Sequence, residues 1–422
     1  MRLDQLHIQN FRCYEDATFD FQPGFNLVVG VNGSGKTSLL QAVASSLYNF
    51  STAMGNRDAQ ITDQDVRFTI QQYDDRYRFE HLYPLKLNAK GSAFGLDNWE
   101  IFKERKDQGQ SYNHVVHTTV STQLDNLDSK GQMDLPIIAF YRANRRWASP
   151  NVTAEFAATQ KSSRLDAYAN WSDAAINLTN FESWFIGKTL ERLQRMSRSE
   201  AKNSFDDELL WVNLALKSVL PDSKGIEYDL GLRTLLVQLN QNKTLPFSSL
   251  SDGQRGLFSL IADIARRMCL INPHMGSKVL EKTNGIIVID ELDIHLHPGW
   301  QRSIVSTLKK AFPKIQFIAA SHSPQIIGGL MPNEIMLLND GDASHPRVSY
   351  GLDSSRVLEE IMGVSEREPE VETLLSELFS TIEDNNLVEA KAQLKALRKV
   401  APDLPEFAGA QALIRRKEIL GK

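Results

Sequence analysis

The chain has 422 residues, of which 42% are hydrophobic and 23% charged. That balance is ordinary for a folded globular protein and excludes a disordered or fibrous one. A formal net charge of −5 supplies no global basic field for nucleic acid or an anionic membrane, so any DNA contact must be local. Two cysteines, Cys13 and Cys269, are far apart and show no C-x-x-C spacing. Neither a disulfide framework nor a zinc site is expected, and a reducing cytoplasm fits.

The N-terminal stretch MRLDQLHIQNF has no apolar core of a signal peptide, and no apolar run approaches the length of a membrane span. Leu3, Leu6 and Ile8 alternate imperfectly with polar residues and predict a strand. Phe19 to Phe21 and Phe25 to Val29 predict two more, separated by a Pro23-Gly24 turn. The second runs into Gly30-Val31-Asn32-Gly33-Ser34-Gly35-Lys36-Thr37, after which Leu39, Leu40, Val43 and Leu47 recur at helical spacing.

That octet fits G-x-x-x-x-G-K-[ST] between a strand and a helix. The glycines permit a tight loop whose N–H groups face phosphate oxygens. Lys36 neutralises the β and γ phosphates, and the Thr37 hydroxyl is a Mg²⁺ ligand. Asn32, Gly33, Ser34, Gly35 and Ser38 complete the expected phosphate contacts.

Residues 51–244 are less regular and read as an insertion. Leu135 to Tyr141 is a buried-strand candidate, Trp171 to Arg195 a helix and Asp207 to Leu220 another, stopped by Pro221. Ile226 to Asp229 and Leu232 to Leu239 form a strand pair about Gly231. Beyond residue 245 the apolar runs Ile286 to Ile289, Phe317 to Ala320 and Ile335 to Leu338 alternate with helices, the pattern of a parallel sheet covered on both faces. From 351 to 422 the chain reads as helical, with an apolar stripe of Val371, Leu374, Leu375, Leu378, Phe379 and Ile382.

Asp290 and Glu291 end the first of those runs. Asp290 is the expected second holder of Mg²⁺, and Glu291 the group that polarises the attacking water. Leu250-Ser251-Asp252-Gly253-Gln254-Arg255 resembles the LSGGQ-like signature of ABC-type ATPases, with Asp252 in place of the usual first glycine, a departure similar to the SMC and RecF side of that family. Leu292 to Pro298 (LDIHLHP) resembles the D-loop of RecF-like and OLD-like ATPases. Ser321-His322-Ser323-Pro324 resembles the switch-histidine loop, and Asn10-Phe11-Arg12 the opening of SMC and RecF heads. His295 and His297 have no third ligand nearby, so a zinc site is not expected.

The resemblance implies an α/β fold, an ABC-ATPase head with a mixed sheet and phosphate-loop core, formed by residues 1–50 and 245–350. A mostly helical insertion and a helical C-terminal segment complete it. It implies ATP and Mg²⁺ as cofactors, Arg12 near the phosphates, and His322 as a γ-phosphate sensor. Ser251, Gly253 and Gln254 would bind the ATP of a second copy, giving a homodimer that sandwiches nucleotide. Gln64 is the candidate for the family's Q-loop glutamine.

The long insertion and the D-loop form argue against a transporter subunit, the lack of sustained heptads against long SMC arms, and the short helical C-terminal segment against a built-in OLD-type nuclease. The remaining pattern is similar to the stand-alone ATPases of Septu-type anti-phage systems, which pair with a separately encoded HNH nuclease. A RecF-like repair ATPase is the alternative. Arg142, Arg145 and Arg146, beside Tyr141 and Trp147, are candidates for contact with nucleic-acid phosphate or bases, for a solvated turn or for an internal ion-pair hub. Arg415, Arg416 and Lys417 could dock a partner or lengthen a dimer interface.

Overall fold

A computed structural model describes residues 1–422 apart from 113, 131–132, 144–151, 160–162, 199–204, 220–222, 240–242, 340, 366 and 421–422, with the backbone alone at 126–130, 175–179, 219 and 420. It forms two units, Met1–Asp353 and Ser354–Lys422.

In chain order the first unit opens with β1 (Arg2–Phe11), β2 (Tyr14–Asp20), β3 (Phe25–Val29), α1 (Lys36–Ser46) and α2 (Tyr48–Ala53). It continues through β4 (Phe68–Tyr73), β5 (Arg76–His81), β6 (Leu85–Ala93), β7 (Leu96–Lys103), β8 (Ser111–Tyr112), α3 (His114–Lys130) and β9 (Ile137–Tyr141). There follow α4 (Ala154–Thr159), α5 (Leu178–Arg198), α6 (Glu208–Val219), β10 (Ser223–Asp229), β11 (Thr234–Leu239) and β12 (Lys243–Pro246). The last part holds α7 (Asp252–Ile271), α8 (Val279–Lys282), β13 (Gly285–Ile289), α9 (Pro298–Ala311), β14 (Ile315–Ala320), α10 (Pro324–Ile327), β15 (Ile335–Asn339) and β16 (Asp342–Ser344).

The central sheet has the order β16-β15-β3-β14-β13-β9, and only β16 runs antiparallel. Every residue of β3, β9, β13 and β14 is buried, which is why these strands read as continuous apolar runs rather than alternations. Parallel pairing puts the carboxyl ends of β3, β13 and β14 side by side, with Ala320 opposite Val28 and Ile289 opposite Ala319. The loops leaving those ends therefore converge, as in other open α/β sheets.

A second, antiparallel sheet has the order β2-β1-β6-β7-β8. Helix α1 packs against β1, β6 and β7 of that sheet and against β13 and β14 of the first. Covered on both sides, it is buried from Leu39 to Ser46, and its small residues Ala42, Ala44, Ser45 and Ser46 let both sheets approach.

The segment 51–244 is not wholly outside the core. It supplies β9, which pairs with β13 at the edge of the central sheet, and β6 to β8 of the antiparallel sheet. The single helix expected over Trp171 to Arg195 is divided: a 3₁₀ turn at Trp171–Asn177, broken at Asp173 (φ −147°, ψ 65°), precedes α5.

Tyr141 is fully buried, its hydroxyl 2.9 Å from Asp263 Oδ2, and Arg142 donates to the Ser172 carbonyl at 3.0 Å. Tyr141 belongs to the interior and has no exposed ring face to offer a base, while Arg142 is half-buried. Arg145, Arg146 and Trp147 lie outside the described residues.

The second unit contains α11 (Ser354–Arg356), α12 (Pro369–Glu383), α13 (Leu387–Val400) and α14 (Glu406–Leu420). Leu375, Leu378 and Ile382 of the predicted stripe pack with Leu394, Leu397 and Phe407. Lys417 Nζ donates to the Ile382 and Glu383 carbonyls at the end of α12, a C-terminal cap, while Arg415 and Arg416 are exposed.

Candidate functional site

The loop after β3 wraps toward the first turn of α1 through two left-handed glycines, Gly33 (φ 86°) and Gly35 (φ 99°). Space as well as conformation selects the second: a β-carbon at Gly35 would fall 2.5 Å from the Tyr14 hydroxyl. That hydroxyl donates to the Gly35 carbonyl at 3.0 Å, so β2 braces the loop from behind.

Lys36 is buried and turns back over the loop, donating to the Gly30 and Val31 carbonyls, each at 2.9 Å. Burial lowers its pKa, opposed by the nearby carboxylates of Asp290 and Glu291. Ser34 Oγ is enclosed without a hydrogen-bond partner. Ser34 does not line the cavity that its neighbours Asn32, Gly33, Gly35 and Lys36 share.

The carboxyl end of β13 completes the opposite wall. Thr37 Oγ1 lies 3.1 Å from Asp290 Oδ2, and this hydroxyl–carboxylate pair is a hard-oxygen donor set of the kind Mg²⁺ takes. Glu291 follows in a left-handed conformation (φ 48°), unusual for a residue with a side chain, at the point where the strand breaks into the D-loop. From β14 comes His322, whose pKa burial and the Lys36 ammonium push below the ordinary histidine value against the pull of Asp293, Glu291 and Asp290. The imidazole is therefore neutral near pH 7 and can donate from one nitrogen.

These groups surround one cavity of ≈ 260 Å³, to which Asn32, Gly33, Gly35, Lys36, Thr37 and Ser38 contribute from the phosphate loop. Asp290, Glu291 and His322 line its other side. Cys13, which the sequence did not mark, also lines it. Arg12 does not: its guanidinium holds Asp65 Oδ1 at 2.7 and 2.9 Å. That pair ties the loop carrying Gln64, itself exposed and away from the cavity, to the turn beside Cys13.

Ser251, Gly253 and Gln254 open α7. Ser251 caps the helix, its Oγ accepting from Gln254 N at 3.3 Å while Gln254 Oε1 accepts from Ser251 N at 3.1 Å. None of the three lines the Lys36 cavity. A β-carbon at Gly253 would fall 2.1 Å from the His295 carbonyl, so the signature turn rests on the D-loop backbone. His297 caps α9 through Nδ1, and no cluster of metal-binding side chains occurs among the described residues.

Residues 25–328 match the family model described as "AAA domain, putative AbiEii toxin, Type IV TA system". The chain belongs to that family. Among curated proteins, this AAA-domain chain is 27% identical to the Retron Ec83 probable ATPase of Escherichia coli, over 88% of its own length and 78% of the relative's. It is 24% identical to the Septu protein PtuA of Bacillus thuringiensis, covering 91% and 90% of the two chains. An SMC head crystallised with the C-terminal winged-helix domain of ScpA has a TM-score of 0.50 at 13% identity, covering 82% of this chain and 97% of that one. The AAA-domain protein is thus an ATPase whose fold is that of an ABC-type head, and it binds nucleotide. The retron relatives were not anticipated from the sequence.

Proposed function

We propose that this ATPase is a dimeric switch: two heads close on two ATP molecules, and hydrolysis releases them to control a separate effector, a nuclease of the HNH type, in anti-phage defence. The observation that carries the reading is the incomplete site. Lys36, Thr37, Asp290, Glu291 and His322 share one cavity, while Ser251, Gly253 and Gln254 present a capped helix N-terminus elsewhere on the same head. A second copy that offers its own helix N-terminus to the γ-phosphate completes the charge neutralisation that phosphoryl transfer requires.

In this reading Lys36 and the loop N–H groups hold the β and γ phosphates, joined by Asn32, Ser34 and Ser38. Thr37 and Asp290 would hold Mg²⁺, which when bound supplies neutralisation of phosphate charge. Glu291 polarises the attacking water. Neutral His322 hydrogen-bonds the γ-phosphate and changes its contacts when that group leaves. Arg12 acts indirectly, by tying Asp65 to the turn that carries Cys13, which lines the cavity. Relatives named for Septu and retron systems support the defence assignment over a RecF-like repair role.

Small-angle scattering of Glu291→Gln with saturating ATP tests the dimer. A doubling of mass relative to the nucleotide-free variant is expected, and a monomer would overturn the sandwich. Native pull-down from the host tests the output: a stoichiometric nuclease supports the defence role, and recombination or replication proteins in its place would support repair.

A further inference from the structure

The loop after β13 has a strained start and a strained middle, with Glu291 at φ 48° and His295 at φ 61°. A backbone of that shape persists only where its surroundings hold it. Its own hydrogen bonds, Ile294 N to Glu291 O at 3.1 Å and Leu296 N to Asp293 O at 3.0 Å, are local. The other restraints come from the end of β14, where the Ala320 carbonyl accepts from Leu292 N at 2.8 Å, from the loop that follows it, from α9, and from Gly253 at the start of α7, which packs on the His295 carbonyl.

Two side-chain links join the β13 loop to the β14 loop. Asp293 Oδ1 accepts from Ser321 Oγ at 2.5 Å and from His322 N at 3.3 Å. The second link runs through Gln301, in the first turns of α9. Its Nε2 donates to the Leu296 carbonyl at 2.9 Å and more distantly to the Asp293 carbonyl at 3.4 Å. Its Oε1 accepts from Ser323 Oγ at 2.8 Å, and the Ser323 N–H donates to Ser321 Oγ at 2.9 Å.

Both ends of one amide are therefore used, one on the loop that begins at Glu291 and one on the loop that carries His322. The donor end faces two carbonyls, which can only accept, and the acceptor end takes the Ser323 hydroxyl. Leu296 adjoins His295, whose carbonyl receives Gly253 of the signature turn.

We infer that Gln301 is a positioning residue of the ATPase. It sets the Glu291 loop in register with the His322 loop, and it connects both to the signature turn. The inference deepens the proposed site and rests on the roles given there to Glu291 and His322. Gln301 does not line the nucleotide cavity, so its effect falls on turnover rather than on binding.

The test compares Gln301→Ala, Ser323→Ala and their double variant in the full chain, measuring ATP affinity by calorimetry together with kcat and KM. Affinity should stay within about twofold while kcat falls roughly tenfold, the size expected when a hydrogen bond that orders reacting groups is lost. Because hydroxyl and amide form one link, the double variant should lose little beyond the worse single one. Gln301→Glu keeps the volume and the acceptor for Ser323 but sets a carboxylate against the Leu296 carbonyl. It should show the same loss of kcat, and it carries the test if the alanine variant unfolds. A wild-type kcat in Gln301→Glu, or losses that multiply in the double variant, would overturn the assignment. Glu291→Gln separates the two levels: near-normal hydrolysis in that variant would overturn the site reading itself, whereas its loss alongside unimpaired Gln301 variants would overturn only the role of Gln301.

Discussion

Thr37 Oγ1 and Asp290 Oδ2 stand 3.1 Å apart, joining the first turn of α1 to the end of β13 across the mouth of the phosphate loop. If this pair shares a Mg²⁺, Asp290→Asn weakens metal binding while leaving the loop glycines and Lys36 in place. The Mg²⁺ concentration for half-maximal hydrolysis should rise at least about tenfold, the scale on which disturbing a metal's surroundings acts. A Mg²⁺ titration of ATPase activity that superposes on wild type would remove Asp290 from the metal site.

Tyr14 makes a different kind of support. Its buried hydroxyl donates to the Gly35 carbonyl, and its ring packs edge-on against Phe19. Tyr14→Phe keeps the ring and removes one hydrogen bond worth about 0.5–1.5 kcal/mol, so ATP affinity should weaken roughly two- to twelvefold. Calorimetry is the measurement, and affinity equal to wild type would show that the loop holds its shape without β2.

The uneven legibility of this chain has a physical basis. Lys36, Asp290 and His322 could be marked in sequence because each follows a buried strand, and parallel pairing of β3, β13 and β14 brings their carboxyl ends together. β9 was recognisable as a strand but not as a neighbour of β13, because an apolar run states burial and not its partner. Arg12 was marked for the phosphates, and its ion pair with Asp65 depends on a contact across 53 positions that no local pattern encodes. Tyr14 and Gln301 carry no motif of their own. Each acts through one hydrogen bond or two to a carbonyl, and such contacts exist only once the fold is formed.

On the buried face of α7, Asp263 receives Arg266 and Arg267 at 2.7 Å each, and all three side chains are buried. Burial raises the Asp263 pKa, but the two guanidiniums outweigh it and hold the carboxyl below its usual value. Asp263→Asn leaves two buried cations without their anion and should destabilise the head by about 3–5 kcal/mol. Because Tyr141 donates to the same carboxylate and its carbonyl accepts from Asp290 N at 2.8 Å, the variant should also lose hydrolysis at temperatures where it remains folded. Denaturant melts and activity at low temperature read the two effects separately, and a stability loss under about 1 kcal/mol would show the charges to be otherwise compensated.

Glu182 on α5 carries the opposite shift. Burial alone pushes its carboxyl from 4.5 up to about 7. Between those values the folded chain keeps a proton that the unfolded chain has released, so the unfolded state binds fewer protons and stability falls as pH rises through the window. Above about pH 7 the penalty is complete and constant. The group is only half-buried, so solvent screening reduces the penalty below the full linkage value of about 1.4 kcal/mol per pH unit. Glu182→Gln cannot ionise and should escape the fall: its melting temperature should match wild type near pH 5 and exceed it near pH 8. A difference between the two proteins that is the same at both pH values would mean that Glu182 is already ionised in the folded state at pH 5.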